Sequence, residues 1–244
     1  MEQRLNREFL SWQDIQIQLL LTAKTEGDFA EVLKQAGRDL GFEHVAFGMR
    51  TPLPLSNPKV VLVNNYPAAW QDRYTRQNYL QVDPSVAHGM RSIMPLVWSE
   101  SLFSNARAFW EDAQSHGLKF GWAQSAIDAH GRVGMLTLSR SAEEISDNEL
   151  RGNAARMRWL TQMALEGMAR LHAGKHEAQA PASLTAREVE VLRWTADGKT
   201  SGEVGQIMDI SERTVNFHIN NSLEKLGANN KTAGVIKAAL LRLL

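Results

Sequence analysis

The sequence predicts an α/β domain built as an α-β-α sandwich, followed by an all-α helix-turn-helix domain of four helices. Helical and strand-like periods alternate along residues 1–173, which argues for a central sheet covered by helices. The stretch His172 to Ser183 is poor in large apolar residues and contains Gly174 and Pro181, the composition of an interdomain linker, placed at 174–183. From 184 to 244, helix caps, a short turn and a glycine stop follow one another in order.

In the first domain, the apolar stretch Ile15 to Ala23 is shorter than a membrane span and is preceded by Glu2, Glu8 and Asp14 rather than by a basic segment. It reads as an amphipathic helix. A helix is expected over Asp28 to Asp39, strands over Val45 to Met49 and Val60 to Asn64, and a helix after Pro67. Another helix is expected around Ala106 to His116, with strands near Gly121 to Ile127 and Val133 to Arg140. Leu150, Met157, Leu160, Met163, Ala164 and Met168 recur at helical spacing between Ser146 and Leu171, predicting a long helix that leads to the linker. Such a helix suits core packing or a share in a dimer contact.

In the second domain, Thr185 and Glu188 form a capping pair, with Leu184 placed to staple onto Val189 and Gly198 placed to end the helix. Thr200 and Glu203 cap a short second helix with Val204, Ile207 and Met208 as its apolar stripe. Asp209-Ile210-Ser211 reads as a turn, and a longer helix runs from Ser211 to Leu226, where Gly227 suits a left-handed C-cap. Val215, Ile219, Leu223 and Leu226 form its seam, and Arg213, Asn216, Phe217, Asn220 and Asn221 fall away from it. Asn216 and Asn220 can each present an amide to a base edge, and Phe217 can touch a thymine methyl. Asparagines on an amphipathic helix are also an ordinary solvated face; the ordered succession of caps, turn and stop is what favours DNA binding.

Composition bounds the remaining classes. The chain has 244 residues, 27 Lys and Arg against 27 Asp and Glu, and a formal charge of +0. From Thr185 onward eight basic residues face seven acidic ones, so no strong basic field exists and affinity for DNA must come from specific contacts and dimerisation. Cysteine is absent, which removes thiolate chemistry and sulfur-based zinc sites and fits a cytoplasmic protein. The seven histidines are scattered without ligand spacing; His172 and His176 are four apart but flank the linker. No nucleophile elbow or phosphate loop is present, and Glu26, Asp28 and Glu31 lack the strand and acid that a phospho-acceptor domain needs. No catalytic, cofactor or metal site is expected.

The densest polar and aromatic signal lies between Asn65 and Tyr74, where Pro67 suits the first helical position and Trp70 and Tyr74 share a face. Asp83-Pro84 follows. Rings with polar tips beside one carboxylate are the parts of a small-molecule pocket, although Trp and Tyr at helical spacing also build cores and Asp before Pro also caps or turns.

Leu184-Thr185-Ala186-Arg187-Glu188, Trp194-Thr195-Ala196-Asp197-Gly198-Lys199-Thr200 and Ile210-Ser211-Glu212-Arg213-Thr214-Val215-Asn216-Phe217-His218 together resemble the LuxR-type DNA-binding domain. Tyr66, Trp70, Tyr74, Asp83-Pro84, Trp98 and Gly121 resemble the autoinducer-binding domain of LuxR-type quorum-sensing regulators. The resemblance implies a structural role for Glu188, Leu192 and Gly198, base reading by Asn216 and Asn220, and phosphate-side contacts by Lys199, Thr200, Thr214 and His218. It implies an N-acyl-homoserine lactone as regulatory ligand, with Trp70 donating to the lactone carbonyl, Asp83 accepting from the amide N–H, and Tyr66 and Thr137 holding the amide carbonyl. An amide offers one donor and one acceptor, so a carboxylate and a hydroxyl satisfy both away from water.

Thr137 falls on the alternation Val133, Met135, Thr137, Ser139, which suits a strand face turned to a ligand or to solvent. Tyr74, Val86, Phe103, Phe109, Leu118, Trp122 and Met135 are the candidate walls for the acyl chain, each of which is also a natural core residue. Bulk at Trp122 and Ala123 is expected to shorten or redirect that chain. The resulting expectation is a homodimeric transcription regulator that binds lactone, a partly palindromic double-stranded operator and RNA polymerase, with no membrane partner. The alternative is the same fold answering another small molecule, or acting without one.

Overall fold

The structure, a computed structural model, describes residues 2–176 and 183–244, with side chains described over 12–172 and from 183 onward. The chain forms two compact units.

The first unit begins with helices α1 (Glu2–Thr22) and α2 (Glu26–Asp39). Thr25 caps α2 and Asp28 reaches back to the Thr25 amide, a reciprocal box that places the helix start two residues ahead of the expected one. Strands β1 (His44–Arg50) and β2 (Val60–Asn64) follow. Then come α3 (Ala68–Arg76), a 3₁₀ turn (Tyr79–Gln81), α4 (Pro84–Gly89) and the short strand β3 (Leu96–Val97). A second 3₁₀ turn (Ser104–Ala106) leads into α5 (Arg107–Ser115), followed by β4 (Phe120–Ile127), β5 (Val133–Arg140) and α6 (Asp147–His176). Helix α6 runs on into the stretch expected as linker, whose residues 177–182 lie outside the described ones. No described helix is long and apolar enough to cross a membrane.

All strand pairs are antiparallel, in the order β2-β1-β5-β4-β3. Successive side chains alternate between faces, and directly paired residues share one. Phe47, Met49, Val63, Trp122, Leu136 and Leu138 therefore point together into the main core, against Leu20, Phe29, Leu33, Met157, Leu160 and Leu165 of α1, α2 and α6. The other face carries Ala46, Ala123, Ser125, Met135, Thr137 and Ser139 by register. A separate cluster of Trp70, Tyr79, Phe103, Phe109, Trp110 and Leu118 comes from the elements between β2 and β4. The architecture is thus the expected α-β-α sandwich.

The second unit contains α7 (Ala186–Ala196), α8 (Ser201–Met208), α9 (Glu212–Leu226) and α10 (Lys231–Leu240). Both sequence-predicted capping boxes form, Thr185 with Glu188 and Thr200 with Glu203. Ser211 and Asn230 cap α9 and α10. Gly227 adopts φ 57° at the end of α9, as a left-handed cap requires. Asp209 takes φ 54° and begins the turn between α8 and α9, a conformation that Asp tolerates better than most residues. The turn closes tightly because a Cβ at Gly205 would stand 2.7 Å from the Ile210 carbonyl oxygen. Leu184 packs with Leu192, Leu226 and Ala238, a tertiary contact that the expected Leu184 to Val189 staple did not include.

Candidate functional site

The Pro67 carbonyl accepts from the Trp70 and Gln71 amides at 2.9 and 3.1 Å, so Pro67 sits just ahead of the first helical residue of α3. Trp70, 2% exposed, and Tyr74, one turn on, meet with ring centroids 5.7 Å apart. Trp70 also meets Tyr79 and Phe109 at 5.8 Å and His116 at 5.4 Å. Phe103 stacks on Trp110 at 4.3 Å, and Trp98 turns its edge to both. Gly121 makes room for that indole, because a Cβ there would fall 2.3 Å from the Trp98 ring.

Asp83 is the polar centre. It caps α4 through Oδ1, which accepts from the Ser85 amide at 2.9 Å and the Ser85 hydroxyl at 2.6 Å, and Oδ2 accepts from the Tyr74 hydroxyl at 3.1 Å. Burial pushes the carboxyl above the ordinary range, and the Ser85 and Tyr74 bonds offset only part of that. Burial, reinforced by Asp83, also raises the Tyr66 and Tyr74 phenols, so both remain protonated donors. Cap and ligand group are therefore compatible roles for Asp83: a carboxylate that holds α4 keeps acceptor capacity for a guest.

Thr137 is buried on the sheet face opposite the main core, and Met135 on the same face is half-buried. Ser139, two residues beyond Thr137 on that face, is fully buried beside the Tyr66 phenol. Among the described residues, Ser139 Oγ, Ser125 Oγ and Trp98 Nε1 are buried without a well-formed hydrogen bond. Buried polar atoms are ordinarily satisfied; the Ser139 hydroxyl faces the Tyr66 phenol, which leaves Ser125 Oγ and Trp98 Nε1 as the polar atoms on this side of the sheet available to a polar guest. Ser139 lay on the predicted alternation and could have been selected with Thr137; Ser125, on the neighbouring strand, could not.

Phe103, Phe109 and Leu118 join Trp70 in one cluster, with Tyr66, Tyr74 and Trp98 at its margin. Val86 is half-buried on α4. Trp122 is a correction: it pairs with Leu138 and packs into the main core. It cannot wall a chain bound on the opposite face, because one strand step reverses the side chain; Ala123, paired with Thr137, keeps the expected side. Sequence reading also missed Tyr79, Asp112 and Arg73. Tyr79 donates to Asp112, and Arg73 Nε lies 2.7 Å from Asp112 Oδ2, fastening α3 to α5. These bonds hold the Asp112 carboxyl below its usual range. Residues this distant in sequence gave no signal.

On the helical unit, Arg213, Phe217 and Asn220 of α9 are exposed, Phe217 by 59%. Lys199 and Thr200 are exposed at the start of α8, and Thr214 and His218 are half-buried. Thr200 also serves as the α8 cap, and its hydroxyl lies 2.7 Å from Glu203 Oε2. Asn216 differs from Asn220 in being half-buried. Its Oδ1 accepts from Ser201 Oγ at 2.8 Å, and that oxygen accepts from Lys231 Nζ at 2.7 Å. Glu188 is buried, bonded to the Thr185 amide at 2.7 Å and to Lys225 Nζ at 2.7 Å, which makes it a tie between α7 and α9.

Residues 25–168 match the autoinducer binding domain, and residues 182–238 match the bacterial regulatory proteins of the luxR family. The transcriptional activator AnoR of Acinetobacter nosocomialis is 46% identical over 96% of this chain and 99% of its own. The quorum-sensing regulator RhlR of Pseudomonas aeruginosa is 37% identical over 97% of this chain and 98% of its own. The crystal structure of SdiA from Escherichia coli superposes with a TM-score of 0.76 at 34% identity, covering 96% of this chain and 98% of that one. Both domains are binding modules without catalytic machinery, and the relatives are named as transcriptional regulators. A ligand-binding sandwich joined to a helix-turn-helix unit, matched along nearly its whole length, places this chain in the LuxR family of quorum-sensing transcriptional regulators.

Proposed function

We propose that the first domain binds an N-acyl-homoserine lactone and that the second, as a homodimer, reads a partly palindromic promoter site. The observation that carries this reading is the buried Asp83 carboxylate beside the protonated Tyr74 and Tyr66 hydroxyls, next to an aromatic cluster. This set matches an amide: Asp83 accepts its N–H, Tyr66 with Thr137 or Ser139 donates to its carbonyl, and Trp70 takes the lactone head. The apolar walls Phe103, Phe109, Leu118, Val86 and Met135 take the acyl chain. Residues 1–173 sense, 174–183 connect and 184–244 read DNA. Ligand binding completes the sensor core and favours the dimer in the cytoplasm, where the DNA-bound dimer contacts RNA polymerase.

The test is the thermal unfolding midpoint of the full chain against N-acyl-homoserine lactones of graded length, with a ring-opened lactone as control. Ligand that binds only the folded state raises the midpoint by mass action. A chain-length-dependent rise absent for the control supports the reading; a flat response from folded protein sinks it.

A second reading has its own observation. SdiA has been solved in complex with octanoyl-rac-glycerol, and that structure is 33% identical with a TM-score of 0.74. The same donor and acceptor set can hold an acylated polyol head. Octanoyl-glycerol added to the same panel separates the two: a larger rise with it than with any lactone favours the acyl-glycerol reading.

A further inference from the structure

On helix α9, Asn216 and Asn220 stand in unlike surroundings, and the difference decides what each can recognise, given the reading above that α9 meets DNA. At roughly 100° of rotation per residue, Asn220 falls next to Arg213 on the exposed stripe that runs on to Phe217, whereas Asn216 falls at the edge of that stripe, toward the buried Ile219. There Lys231, the first residue of α10, and Ser201, the first residue of α8, reach it in a chain.

A lysine ammonium can only donate. Lys231 Nζ donates to Ser201 Oγ at 2.7 Å, leaving the serine proton to be donated to Asn216 Oδ1 at 2.8 Å. Turning the amide over would leave that proton without an acceptor on a residue only 8% exposed. The amide therefore holds its oxygen inward and its NH₂ outward. The charge at the head of the chain polarises each bond in turn, which strengthens the outward N–H as a donor.

We propose that Ser201 and Lys231 are positioning residues for Asn216. They present its NH₂ to an acceptor on DNA, either a phosphate oxygen or the N7 or O6 of a purine. The paired donor-and-acceptor reading of adenine falls to Asn220, whose amide stands exposed.

The probe is a duplex selected from a random-sequence library by the full-length wild-type chain, with N-octanoyl-homoserine lactone present throughout. Ser201→Ala weakens binding of that duplex about tenfold, a size typical of one lost specific contact. Ser201→Thr, which keeps a hydroxyl, restores it, a rescue that a merely structural role would not give. In an Asn216→Ala background, Ser201→Ala and Lys231→Met each add little, whereas Asn220→Ala adds its full effect, because coupled residues are non-additive and independent ones are additive. Reselection with Asn216→Ala separates the two acceptors: relaxation at one purine position assigns a base, and a uniform loss across sequences assigns a phosphate. Full additivity of Ser201→Ala with Asn216→Ala, or no rescue by threonine, overturns the proposal. If Asn216→Ala and Asn220→Ala both leave binding unchanged, α9 is not the reading helix, and the functional reading falls with the proposal.

Discussion

At the residue scale, Asp83 carries the most consequence. It is the N-cap of α4 and accepts hydrogen bonds from Ser85 and Tyr74. Asparagine caps a helix as well as aspartate does, so Asp83→Asn is expected to keep α4 in place while replacing one acceptor oxygen by a donor. A hydrogen bond to a charged group contributes about 1.5–3 kcal/mol, so affinity for the acyl-homoserine lactone should fall by roughly tenfold to a hundredfold. A thermal-shift titration measures this, with DNA binding under saturating ligand unchanged. An unaltered titration would remove Asp83 from the ligand site. The sequence exposed this residue because carboxylate, proline and nearby aromatics are local. It did not expose Ser125, whose orphan hydroxyl is defined only by what packs over it: a Cβ on Gly89 would stand 2.6 Å from that oxygen.

At the element scale, the helical unit is tied by Glu188 of α7 and Lys225 of α9. Burial raises the Glu188 carboxyl, but the Lys225 ammonium and the Thr185 amide more than offset it, so it titrates below the ordinary carboxylate range. A depressed folded-state pKa contributes stability above the unfolded value, about 4.3, and loses it as pH falls through the folded value. Glu188→Gln should therefore cost about 2 kcal/mol at neutral pH, read as faster amide exchange in α7 of the full chain. The gap to wild type should close as pH drops below about 4; a pH-independent gap would mean that Glu188 acts through packing alone. The caps of α7, α8 and α9 could all be located in sequence because a cap spans only three or four residues. Strand β3 could not, since two residues carry no period and it exists only through pairing with Ala123 and Trp122.

At the scale of the whole molecule, near-neutral charge sets the DNA interaction apart from that of a basic protein. With eight basic residues against seven acidic ones from Thr185 onward, the helical unit offers little net positive field to a duplex. The logarithm of operator affinity should still fall linearly with that of salt, with a slope of about 0.9 per phosphate neutralised, so a shallow slope is expected in a titration between low and physiological salt. A steep slope would show that charge rather than base reading dominates. The sequence by itself determined the class of both domains, the two capping boxes and the glycine C-cap of the helical domain, the turn at Asp209, the α9 stripe and the aromatic-carboxylate set around Asp83. Each of these is written in neighbours a few residues apart, where periodicity and capping chemistry act. Tertiary structure alone decided that Trp122 belongs to the main core, that Tyr79 and Arg73 meet at Asp112, and that Asn216 answers to Ser201 and Lys231. Those outcomes depend on strand register and on which helix ends meet, and both are set by packing between segments far apart in the chain.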